Sequence, residues 1–144
     1  MINITAYCDA SHSIRTKRAV ATSIVLSESM FHGMVTETYT NVDTGAHAEL
    51  LGIIQTVRLV KDIPDVDTIT IYCDSESVIS LYSKLLNSEV LSPYTNYYND
   101  WAELLELSKG LNIKSGHIQG HSKELSCNTV CDIVAHQVLR WENT

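Results

Sequence analysis

No apolar run in this chain approaches the ~20 residues needed to cross a bilayer. The start, Met1-Ile2-Asn3-Ile4, has neither the basic region nor the small-residue cleavage site of a secretory signal. These two absences make a cytoplasmic location, with no membrane partner, the expectation. Positive charge is also scarce: 10 Lys and Arg stand against 17 Asp and Glu, a formal net charge of −7. Phosphate attraction dominates non-specific nucleic-acid binding, so this balance argues against a broad binder of that kind. Repeats, low-complexity tracts and linkers are lacking. The 144 residues are expected to form a single domain, 1–144, around one core. Cysteine is limited to Cys8, Cys73, Cys127 and Cys131. Without a secretory signal, free buried thiols are expected rather than disulfides.

What is present is an ordered alternation of β and α patterns. Ile2 to Asp9 reads as a strand, Ala10 to Lys17 as a polar turn, and Arg18 to Leu26 and Met30 to Thr40 as two further strands of an antiparallel meander. Asp43 or Thr44 can cap a helix reaching about Lys61, with Leu50, Leu51, Ile53, Ile54, Val57 and Val60 on one stripe and Pro64 beyond its end. Val66 to Cys73 is a fourth strand, reached through that helix and therefore parallel to the first. Helices follow over Ser75 to Leu86 and Tyr97 to Leu107, then a strand over Asn112 to Ile118 and a helix over Ser126 to Trp141. The order βββαβααβα predicts an α/β fold: a mixed five-stranded sheet, three antiparallel strands then two parallel, flanked by helices.

Four acids stand out in that frame. Asp9 and Asp74 each end an apolar run, and they fall at matching points of strands that can be neighbours. Glu49 precedes Leu50-Leu51, and Asp132 lies between Cys131 and Ile133-Val134, so both sit close to a buried face. An aspartate at a strand end is usually a turn residue, and a glutamate in a helix usually a solvated one. Four together are different, because buried carboxylates repel one another and resist desolvation unless cations neutralise them. Oxygen donors of this kind suit Mg²⁺ or Mn²⁺ rather than zinc. Two such ions about 4 Å apart can activate water and stabilise a leaving oxygen in phosphodiester hydrolysis. Metal would consume several of the negative charges, so the acidic total leaves room for a nuclease.

The segments Tyr7-Cys8-Asp9-Ala10-Ser11, Ala46-His47-Ala48-Glu49-Leu50, Tyr72-Cys73-Asp74-Ser75-Glu76-Ser77 and Gly120-His121, followed by Asn128-Thr129-Val130-Cys131-Asp132, together resemble the type 1 ribonuclease H family. The resemblance runs from Ile4 to about Leu139. It implies endonucleolytic cleavage of the RNA strand of an RNA–DNA hybrid, leaving 3′-hydroxyl and 5′-phosphate ends. It assigns two Mg²⁺ ions (or Mn²⁺) to Asp9, Glu49, Asp74 and Asp132, and proton transfer or product release to His121. His117 resembles the retroviral-type branch and reads as a strand residue near the site, not a catalyst. Recognition of the RNA 2′-hydroxyl needs small polar groups near the metals, and Ser11, Ser75 and Asn128 are the candidates by position.

Three departures qualify that likeness. Ala10 stands where the family often has glycine after the first aspartate. Gly45 stands where an asparagine usually touches the hybrid. The stretch Leu86 to Asp100, where many members carry a basic protrusion, has no Lys or Arg. Binding is therefore expected to be weak and salt-sensitive unless an auxiliary partner supplies the grip. Arg15, Lys17 and Arg18 form the densest basic cluster, a solvated face or a phosphate contact. Alternatives are a catalytically silent binding module, another nuclease or a transposase on the same fold, and a zinc site from His117, His121, Cys127 and Cys131. A monomer is expected, and Met1 directly before the first strand suggests a stand-alone chain.

Overall fold

The structure is a computed structural model that describes residues 2–27 and 30–117. Its elements are β1 (Ile2–Ser13), β2 (Arg18–Ser27), β3 (Met30–Tyr39), α1 (Gly45–Lys61), β4 (Val66–Cys73), α2 (Glu76–Leu86), α3 (Tyr98–Ser108) and β5 (Ile113–His117). The strands form one sheet in the order β3-β2-β1-β4-β5. The pairs β1–β2 and β2–β3 are antiparallel, while β1–β4 and β4–β5 are parallel. This is the mixed sheet expected from the sequence. The terminal helix expected over 126–141 lies outside the described residues.

The strand periodicity explains the core. Ile4, Ala6 and Cys8 of β1 and Ile69, Ile71 and Cys73 of β4 alternate onto one buried face. Helix α1 covers that face with Leu50, Ile53, Ile54, Val57 and Val60, which recur at helical spacing. Its start is set by Thr44, whose Oγ1 accepts the His47 N–H at 3.1 Å. Polar residues under α1 are satisfied rather than exposed. Ser23 Oγ lies 2.7 Å from Thr56 Oγ1, and Gln55 Nε2 donates to the Ala21 carbonyl at 3.1 Å. Among the described residues, no helix is long and apolar enough to cross a membrane.

Most boundaries fall within a residue of expectation, and two of the differences have a visible cause. Strand β1 does not end at Asp9. It continues to Ser13, and its pairing with β2 runs unbroken through Ala10↔Ala21 to Ser13↔Arg18. The polar residues Ser11 to Ser13 look like a turn in sequence, but an antiparallel partner satisfies their backbone and confines the turn to 14–17. Helix α3 begins one residue late because Tyr97 is left-handed, at φ 61° and ψ 37°.

The close approach of Gly116 to Tyr72 gives a direct test of sheet packing. These residues are register partners, and a Cβ on Gly116 would meet Tyr72 Cε1 at 2.9 Å. The Tyr72 ring cannot easily yield, since it stacks on Tyr7 at a centroid distance of 5.5 Å. Gly116→Ala is expected to lower stability by about 1–3 kcal/mol, the usual cost of overpacking. Gly45→Ala, with open space around it, should raise stability by about 0.4–1 kcal/mol. Urea unfolding midpoints of the two variants check both signs.

Candidate active site

The site forms where two parallel strands stop at different places. Register between β1 and β4 runs to Tyr7↔Tyr72. Asp9 and Asp74 each follow two residues beyond that last pair, Asp9 within β1 and Asp74 just past the end of β4. Strand β4 ends at Cys73, but β1 continues, so the edge of β1 that β4 had covered is opened and taken over by side chains. The Ala10 N–H is shared there by Asp9 Oδ1 at 2.9 Å and Glu49 Oε1 at 3.3 Å. Asp9 is 2% exposed.

Helix α1 brings Glu49 across this edge. Its other oxygen, Oε2, accepts a hydrogen bond from the Cys73 thiol at 3.1 Å. One donor atom each from Glu49, Cys73 and Asp74 lies within 4.8 Å of the others. The N-terminus of α1 is itself held against α3. The His47 ring stacks on Tyr97 at 4.1 Å, His47 Nε2 lies 2.8 Å from Asp100 Oδ2, and Thr44 Oγ1 lies 2.8 Å from the Tyr97 hydroxyl. That anchor fixes the turn of helix from which Glu49 projects.

The electrostatics call for a cation. Burial pushes the Glu49 carboxyl well above its ordinary range, and the nearby Cys73 and Asp74 add to the shift while a hydrogen bond with Asp9 opposes it. The Cys73 thiol is also pushed well up, first by its hydrogen bond with Cys8 and then by burial. Among the described residues, no Lys or Arg pairs with Glu49 or Asp74. Glu49 and Asp74, with Asp9 beside Glu49, offer hard oxygen donors of the kind that fit Mg²⁺ or Mn²⁺.

The remaining expected residues divide. Ser11 is buried in β1, and its hydroxyl has no hydrogen-bond partner among the described residues. Ser75 precedes α2 and makes no side-chain cap; its N–H points at Cys73 Sγ, 3.5 Å away. His117 closes β5 opposite Cys73, with Nε2 3.1 Å from the Asp74 carbonyl. His121, Asn128 and Asp132 lie outside the described residues, as do Cys127 and Cys131 of the zinc alternative. Lys17 of the basic hairpin is 3.4 Å from Asp43. Two contributors are not evident from sequence: Cys73 as a donor among the acids, and the His47–Tyr97–Asp100 anchor. The first could have been found from the Tyr-Cys-Asp tripeptide shared by both strands.

Because the Glu49 carboxyl is raised in the folded chain, the folded state binds its proton more tightly than the unfolded state does. In metal-free protein its contribution to stability is fully present below the ordinary value of about 4.5 and is lost as pH rises towards the folded value. Glu49→Gln should consequently melt at a higher temperature than the parent at neutral pH without metal, with the difference vanishing near pH 4. Millimolar Mg²⁺ should raise the parent's melting temperature and leave that of Glu49→Gln nearly unchanged. Thermal unfolding across pH, with and without Mg²⁺, reads both effects.

Comparison with known proteins supplies the relationship. The RNase H family profile matches residues 2–140. No curated protein matches the chain by sequence. Similar solved structures include the N-terminal RNase H domain of Rv2228c from Mycobacterium tuberculosis, at 15% identity and a TM-score of 0.78, covering 97% of this chain and 95% of that one. RNase H1 from the halophilic archaeon Halobacterium salinarum NRC-1 aligns at 18% identity and TM-score 0.74, over 96% and 98% of the two chains. LC11-RNase H1 in complex with an RNA/DNA hybrid aligns at 14% and 0.77, over 98% and 99%; the LC11 enzyme was isolated from compost by a metagenomic approach. At these identities the structural likeness establishes the fold, and the profile match over nearly the whole length establishes the relationship: the chain belongs to the RNase H family.

Proposed function

We propose that this protein is an endoribonuclease that hydrolyses the RNA strand of RNA–DNA hybrids, leaving 5′-phosphate and 3′-hydroxyl ends. The observation that carries the reading is Glu49 of α1 reaching both acids, sharing the Ala10 N–H with Asp9 and lying within 4.8 Å of Asp74. The hybrid held by the LC11 relative supports the substrate class. Asp9, Glu49 and Asp74, with Asp132 as the fourth carboxylate, would hold two Mg²⁺ ions. When bound, these ions supply the Lewis-acid charge that favours attack by water and departure of the 3′ oxygen. The chain's own residues set the geometry. The Ala10 N–H orients the Asp9 and Glu49 carboxylates together, and the α1–α3 anchor keeps Glu49 in place. His121 serves proton transfer or product release, and Ser11, Ser75 and Asn128 read the 2′-hydroxyls along the minor groove.

A catalytically silent hybrid-binding module is the second reading. The acidic total and the absence of Lys and Arg from Leu86 to Asp100 favour it. The raised Glu49 carboxyl speaks against it, since a group strained by its neighbours without metal is a liability in a protein that has no use for one.

The deciding assay uses a labelled RNA–DNA hybrid with Mg²⁺ or Mn²⁺, beside single-stranded RNA, duplex RNA and duplex DNA. Cutting of the hybrid's RNA strand alone is the expected result. Asp74→Asn should reduce the rate by more than the roughly 10–100-fold that loss of an outer-shell partner costs. Folded protein that binds the hybrid at low salt but cuts with neither metal would turn the reading to the silent module, and cutting of duplex DNA would turn it to another nuclease.

A further inference from the structure

We propose that β3 is a self-docking edge: two copies of this chain pair their β3 strands antiparallel about a two-fold axis at Val35, joining two five-stranded sheets into one. The two edges of the sheet are built differently. Strand β5 has five residues, carries Lys114 and His117, and packs against α2, whose Ser83 and Asn87 share a cavity with Ser115. Shortness, charge and a covering helix are the usual means of keeping a sheet edge from pairing. Strand β3 has ten residues, no Lys, Arg or Pro, and Glu37 as its one carboxylate. It presents Met30 and Phe31 at 60% exposure and Met34 at 38%. This edge lacks both the shortness and the cations that guard β5.

The register follows from the ladder. The Ala10 N–H turns to the β4 side of β1, so the odd-numbered residues of β1 bond β2, as in Asp9↔Thr22. By the same alternation Ser23 and Ala21 bond β3 through Val35 and Glu37. Met34, Thr36 and Thr38 therefore turn their N–H and C=O groups outward. A two-fold axis at Val35 sets Met34 opposite Thr36 of the second copy, so the outward groups meet as hydrogen-bonded pairs. The same register sets Glu37 opposite Gly33 of the second copy. A Cβ at Gly33 would meet nothing within 4 Å, so the carboxylate has room there. The adjacent His32 holds Ser27 Oγ through Nε2 at 2.9 Å, which leaves Nδ1 for that carboxylate. The edge is thus self-complementary in backbone and in charge, as a two-fold contact requires. A foreign extended peptide gains the backbone bonds of this edge without the matched Glu37–His32 contacts.

This pairing is independent of the nuclease reading, and sedimentation of the full chain over a wide concentration range reads it directly. The weight-average mass should rise from one chain to two and stop there, because a two-fold contact uses up both edges. Thr36→Pro removes an N–H that faces solvent in the single chain, a place where an edge strand tolerates proline. It should abolish the dimer while keeping a cooperative thermal transition. His32→Glu sets carboxylate against carboxylate and should weaken the dimer at least about tenfold. Adding Glu37→Lys to that variant should restore it. A parent chain that stays monomeric at the highest concentration, or whose mass climbs beyond two chains, overturns the proposal. So does a dimer that survives in folded Thr36→Pro, or a double variant that does not regain what His32→Glu loses.

Discussion

The site depends on the stagger between β1 and β4. Parallel pairing carries two copies of the tripeptide Tyr-Cys-Asp, at 7–9 and 72–74, along neighbouring strands in register. The tyrosines stack on one face of the sheet, the cysteines enter the core on the other, and the aspartates follow at the point where β4 stops and β1 goes on. Had β4 continued as far as β1, strand pairing would have consumed the Ala10 N–H. Its early end leaves that donor for Asp9 and Glu49, so a missing length of ladder becomes a place for carboxylates.

Bringing carboxylates to such a place is unfavourable by itself, and the rest of the fold supplies the rigidity that holds them there. Helix α1 is bound to the sheet by an apolar stripe and by the buried Ser23–Thr56 and Gln55–Ala21 contacts. Its N-terminus is held by the Thr44 cap and the His47–Tyr97–Asp100 group. Glu49 is therefore held where burial and its neighbours Cys73 and Asp74 raise its carboxyl. The energy stored in the metal-free site becomes affinity for whatever positive charge relieves it.

The sheet order, and the elements that carry Asp9, Glu49 and Asp74, were legible in the sequence because strand and helix periods are written in side-chain alternation. The pairing of β1 with β4 follows from a helix-length crossover. The length of β1 was not legible, since Ser11, His12 and Ser13 carry turn-like composition and only the β2 partner reveals them as strand. The one-residue delay of α3 depended on a left-handed tyrosine, which local propensity does not anticipate. The α1–α3 anchor joins residues 53 positions apart, beyond any local pattern. The Cys73–Glu49 hydrogen bond is equally remote from any local pattern, because it arises from α1 carrying Glu49 over the end of β4. The expected roles of His121, Asn128 and Asp132 fall on residues outside those described.

The charge distribution links metal to substrate. The stretch Leu86 to Asp100 brings no cation to the loop between α2 and α3, and its Val90 and Tyr94 side chains are more than 90% exposed. The hairpin cations are few, and Lys17 already faces Asp43. A phosphate backbone approaching Asp9, Glu49 and Asp74 without metal meets like charge in a partly desolvated setting, where repulsion is least screened. Divalent ions at those carboxylates would reverse the local sign there. On the nuclease reading, the metals then contribute to holding the hybrid as well as to cutting it. By linkage the hybrid strengthens metal binding in return.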